Sequence, residues 1–92
     1  MEIQMDQWLK PMRDALVAEI KQAEKYLWAA RNRDDRVGMA INDSRMQTAK
    51  LSLGLLIPHQ KSESLDLANP DVVIGAQREA IYYLRHGKYI GQ

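Results

Sequence analysis

The sequence predicts an all-α protein: an antiparallel hairpin of two long helices plus a short N-terminal helix or arm and a C-terminal helix, assembling into an oligomer. Three observations predict it. Two long apolar periodicities of the helical kind flank a four-residue Asn/Asp-rich turn. A helix start and a helix stop bracket a third, shorter periodicity. The second long segment carries two apolar bands, more than one partner helix can cover.

The chain is read as one helical domain over 1–92, divided into an arm or short helix at 1–10, a helical hairpin at 11–57, a loop at 58–69 and a C-terminal helix at 70–87. Ile3, Met5, Trp8 and Leu9 make the first stretch amphipathic, and Pro11 follows it. Proline suits a first helical turn and disrupts an interior, so a new helix is expected to start near Pro11. From Met12 to Arg31 there is no Gly or Pro, and Met12, Leu16, Ile20, Ala23, Leu27 and Ala30 recur at steps of three or four. That is one helical face, with Val17 and Trp28 off it. Asn32-Arg33-Asp34-Asp35 reads as the turn, with the aspartates suited to capping the next helix. So short a connection calls for antiparallel neighbours.

The second helix is expected from about Asp35 to Ile57, stopped by Pro58. Val37, Ile41, Ser44, Thr48, Leu51 and Leu55 form the stripe expected to face the hairpin partner. Met39, Met46 and Leu53, with Asn42, Ala49 and Leu56, form the second band, which must be buried elsewhere, against a third helix or another subunit. Gly38 and Gly54 each weaken the helix by about 1 kcal/mol relative to Ala, a cost tolerated where another backbone or a ligand comes close. Residues 59–68 are polar and serine-rich. Asn69-Pro70-Asp71 then supplies a cap, a first-turn proline and an acid at the positive end of a helix dipole, while Gly87 supplies the stop. Val73, Ala76, Ala80 and Leu84, with Ile74 and Ile81, give the apolar face of this third helix.

Composition narrows the functional classes. The chain has 92 residues, net charge +1 and no cysteine, so disulfides and thiolate metal sites are excluded. Charge is too balanced for a protein living mainly on long duplex nucleic acid, although a small anion needs only a few cations. No stretch reaches the roughly 18 apolar residues of a membrane span, and the first ten residues are too polar for a signal peptide, so a cytoplasmic location is expected. Phosphate-loop, Rossmann and His-Glu-x-x-His patterns are missing, and His59 and His86 are far apart. No catalytic residue, metal ligand or cofactor is therefore assigned, and the chain reads as a binder rather than an enzyme.

Arg31, Arg33 and Arg36 cluster at the turn, with Arg45 and Lys50 farther along. The commoner role for such a set is a solvated face paired with Asp34, Asp35 and Asp43. The sharper role is phosphate contact through guanidinium forks. The same choice attends Trp8 and Tyr26, as core or interface anchors or as stacking platforms.

The run Ser44-Arg45-Met46-Gln47-Thr48-Ala49-Lys50-Leu51-Ser52-Leu53-Gly54 resembles a run in the hairpin domain shared by phage anti-CBASS and anti-Thoeris cyclic-nucleotide sponges. That run looks like Thr-Lys-Leu-Gln-Glu-Ala, a variable residue, then Met-Trp-Leu-Gly, with an arginine about two turns earlier, near where Arg36 stands. The resemblance covers about half the chain. Ser44 stands in place of threonine, Ser52 where tryptophan is common, and the spacing from Arg36 to Ser44 is one residue long. The third helix extends beyond the minimal family hairpin.

The resemblance implies a symmetric oligomer, often a hexamer, with pockets between protomers that hold a cyclic oligonucleotide or a cyclic ADP-ribose-type signal without cleaving it, in the host cytoplasm. Arg36, Ser44 and Gln47 carry over as ligand-facing polar groups. The family also uses an N-terminal aromatic and a lysine; no motif fixes them here, and Trp8, Lys21, Lys25 and Tyr26 are the candidates on residue type alone. The alternative is a small helical inhibitor or adaptor that docks a host enzyme or defence complex through the same apolar band. A nucleic-acid binder using the arginine turn and the basic C-terminal end is a third reading.

Overall fold

The computed structural model describes residues 5–57 and 66–92. Three helices account for most of them: α1 (Met5–Asn32), α2 (Arg36–Leu55) and α3 (Pro70–His86). Among the described residues there is no strand, and no helix is long and apolar enough to cross a membrane. Expectations that fall on 1–4 and 58–65, including the stop at Pro58, most of the serine-rich loop and His59, lie outside the described residues.

α1 does not break at Pro11; one helix runs through it, where a fresh start was expected. Proline lacks the N–H that would reach the Gln7 carbonyl. Gln7 and Pro11 are both exposed, so water can serve that carbonyl. Across the proline, Lys10 donates to Asp14 at 3.0 Å, one helical turn on.

The turn follows its chemistry. Asp34 takes a left-handed backbone, φ 53°, which a short polar side chain tolerates. The Asp35 N–H donates to the Ala30 carbonyl at 2.8 Å. Asp35 is extended and its carboxylate accepts from the Gly38 N–H at 2.9 Å, capping α2. At the other end of the chain Asn69 caps α3 by accepting from the Asp71 N–H. Gly87 closes α3 in the left-handed conformation, its N–H returning to the Tyr83 carbonyl at 2.8 Å.

α2 packs against both other helices. Glu19 of α1 pairs with Arg45 of α2, and Arg13 of α1 reaches the Leu56 carbonyl just past the end of α2. The core is small: Ile20 from α1, Ala49 and Leu53 from α2 and Ala80 from α3, with Leu16, Val17, Met46, Tyr83 and Leu84 packed around it. The expected α1 stripe supplies its buried side, since Ile20, Ala23 and Ala30 are buried while Leu16 and Leu27 are half-buried. Met12, at the far end of that stripe, is exposed.

In α2 the two bands exchange roles. Ala49 and Leu53 are buried, and Asn42, Met46 and Leu56 are half-buried. The stripe expected to face α1 turns outward instead: Val37 is 70% exposed and Ile41 55%, Ser44 and Thr48 are exposed, and only Leu51 and Leu55 are half-covered. The physical reason is side-chain size and polarity. Ala49, on the covered side, lets helices close up, and Gly54 lies against α3. Ser44 and Thr48 carry less apolar surface than Leu53 and Met46, so burying that side would gain less.

Candidate functional site

Two arrangements bear on function: a buried polar clasp at the end of α2, and the open face of the same helix. The clasp closes the carbonyl end of α2. Arg13 is 3% exposed, and its guanidinium donates twice to the Leu56 carbonyl, from Nε at 3.0 Å and from Nη2. Tyr89, 2% exposed, donates its hydroxyl to the Leu53 carbonyl at 2.7 Å. The Arg13 guanidinium carbon also sits 5.1 Å from the Tyr89 ring centroid, and Tyr83 packs on Tyr89. The last carbonyls of a helix lack helical partners and carry the negative end of its dipole. A guanidinium and a phenol meet both needs. Sequence reasoning missed this clasp, although one signal was available: Arg13 lies four residues after Leu9 and seven before Ile20, a cation on an apolar stripe.

The candidate ligand residues do not gather at one place. Arg36, Ser44 and Gln47 share a side of α2, since steps of eight and three residues return to nearby angles at about 100° per residue, and all three are exposed. Ser44 lines a shallow groove of about 340 Å³ with Leu16, Glu19, Arg45, Thr48 and Ser52. The nearest cation there is already engaged: Arg45 donates to one Glu19 oxygen at 2.7 and 3.0 Å and to Asn42 at 3.2 Å. Tyr26 lies on α1 seven residues from Glu19, on the same flank, and is about half-exposed. Lys21 and Lys25 are exposed on α1, at helical angles away from the buried Ala23 and Ala30. The Trp8 side chain lies outside the described residues. The Lys10 ammonium is held above its ordinary pKa by its hydrogen bond to Asp14 and by that carboxylate's charge.

Two further grooves flank α3. One, of about 310 Å³, lies where Gly54 meets α3 and is edged by Leu55, Asp71, Val72 and Glu79. The other, of about 290 Å³, runs between α1 and α2 beside the end of α3, with Trp28, Arg31, Glu24 and Lys50 around an apolar floor. Among the described residues no group of three or more His, Asp or Glu is placed to hold a metal ion.

No family model, no curated protein and no solved structure matches this chain.

Proposed function

We propose that this chain is a phage immune-evasion protein that sequesters cyclic-nucleotide signals of bacterial antiphage defence without cleaving them, acting in the host cytoplasm. In this reading α1 and α2 form an antiparallel hairpin, and several copies of the chain, six by the resemblance, associate through the open side of α2. The ligand, a cyclic oligonucleotide or cyclic ADP-ribose-type molecule, sits between protomers against Arg36, Ser44 and Gln47. Two things support it: the likeness of the Ser44–Gly54 run to the sponge hairpin, and the uncovered strip of Val37 and Ile41 on α2.

The exposed strip is the observation that carries the reading. Two large aliphatic side chains left in water beside the candidate polar residues are a surface of the kind that a neighbouring subunit covers. A shared pocket lets a short chain enclose a ligand that it cannot surround alone, and symmetry repeats that pocket. A sponge needs tight binding and no turnover.

Calorimetry against a panel of cyclic dinucleotides, cyclic trinucleotides and cyclic ADP-ribose isomers, paired with mass in solution with and without nucleotide, tests the reading. Stoichiometric micromolar binding by an oligomer is expected. A monomer that binds nothing on the panel removes it.

A second reading starts from the same exposed strip. A helical inhibitor or adaptor would instead lay the Val37–Ile41 strip on another protein. A monomer that captures one defined host enzyme in pull-down separates this reading from the first.

A further inference from the structure

The groove at Trp28 has a makeup that packing does not require. Its floor is apolar, built from Ile20, Leu27, Met46 and Leu84. Its wall is the Trp28 indole, 55% exposed, with the Arg31 guanidinium carbon 5.0 Å from the ring centroid. Lys50 enters from α2 and Glu24 from α1. Lys50 is half-buried, and among the described residues neither it nor Glu24 makes an ion pair or hydrogen bond.

Each feature selects for ligand chemistry. The partly covered Lys50 side chain has no counter-ion among the described residues, so an anion is favoured beside its ammonium. An exposed indole offers a π surface to a flat ring, and a guanidinium stacked on that indole keeps its edge N–H donors for an oxyanion. Glu24 repels a ligand charged along its whole length and accepts from an N–H at the uncharged end. A volume of about 290 Å³ suits a small molecule rather than a peptide segment.

We propose that this groove binds a small planar aromatic anion, an aryl carboxylate or a nucleoside monophosphate, with its ring against Trp28 and its anionic group on Lys50 and Arg31. The site needs one protomer and none of Arg36, Ser44 or Gln47, so it stands whether or not the sponge reading does.

The test is a ¹⁵N–¹H titration of the full chain, following the Trp28 indole N–H, assigned by its loss in Trp28→Phe. The probes are AMP, indole-3-acetate, adenosine and inorganic phosphate. A saturable shift with AMP or indole-3-acetate is expected, with adenosine and phosphate binding at least about tenfold more weakly. Saturation by AMP alone identifies a nucleotide site, and by indole-3-acetate alone a carboxylate site. Lys50→Gln and Arg31→Gln should each weaken the saturating probe by about tenfold while circular dichroism stays unchanged. A Trp28 signal that neither aromatic anion moves at millimolar concentration overturns the proposal, and so does unchanged affinity in both variants.

Discussion

Replacing Gly54 with alanine should cost this protein more than any comparably small change. A Cβ at Gly54 falls 1.7 Å from the Ala76 carbonyl oxygen, 2.4 Å from its carbonyl carbon and 2.8 Å from its Cα. All three are backbone atoms of α3, so no rotamer change can clear the space. Ordinary carbon–oxygen contact begins near about 3.3 Å, so α3 must withdraw by about 1.6 Å at that point. Withdrawal parts Leu53 from Ala80 in the core and pulls on the chain that carries Tyr89, whose hydroxyl bonds Leu53.

Overpacking of this kind costs about 3 kcal/mol, and weakening a buried hydrogen bond adds about 1 kcal/mol. The better helix propensity of alanine offsets about 1 kcal/mol. The net loss is about 3 kcal/mol, and for a domain of this size each kcal/mol moves Tm by about 4–8 °C. Gly75 is the internal control: on the same pair of helices, nothing lies within 4 Å of its added Cβ. Gly75→Ala should therefore raise Tm by about 4–8 °C through propensity alone. Far-UV circular dichroism melts at one fixed protein concentration compare the two, because self-association makes Tm concentration-dependent. A Gly54→Ala protein melting at or above wild type refutes the close-approach argument.

Other expectations concern the clasp, the caps and the open face. Arg13→Met keeps the stem but leaves the Leu56 carbonyl without its charged donor, and should cost about 1.5–3 kcal/mol in urea unfolding. Tyr89→Phe removes the hydroxyl bond to Leu53 and should cost about 1 kcal/mol in the same assay. Asp35→Ala removes the cap on the Gly38 N–H and should cost about 1 kcal/mol, with Asp35→Asn recovering most of it. Val37→Asp and Ile41→Asp change exposed positions and should leave monomer stability within about 0.5 kcal/mol. Under the sponge reading, each should lower the mass measured by light scattering, and an unchanged mass would place any subunit contact elsewhere.

Much of the helical layout could be read locally. The Asn/Asp turn, the Asn69 cap, the Asp71 acid and the Gly87 stop are interactions between residues a few positions apart, and each acts where its chemistry suggests. Close approach at Gly54 was one of two uses its place inside a helix suggested, a ligand being the other, and the structure puts the α3 backbone there. The candidate site was less so. Arg36, Ser44 and Gln47 share one side of α2, as their spacing requires, whereas Lys21 and Lys25, candidates by residue type alone, stand apart on α1.

What the sequence determined by itself is the turn after α1, the caps that start α2 and α3 and the glycine that stops α3, because capping and turn conformations are short-range. Tertiary structure alone decided which band of α2 faces inward, that Pro11 could sit inside α1, and that Arg13 and Tyr89 close the end of α2. Both bands carry apolar side chains, so periodicity alone does not choose between them. The small surface of Ala49 and Gly54 admitted α1 and α3 closely, while Ser44 and Thr48, with less apolar surface to bury, left the other band in water.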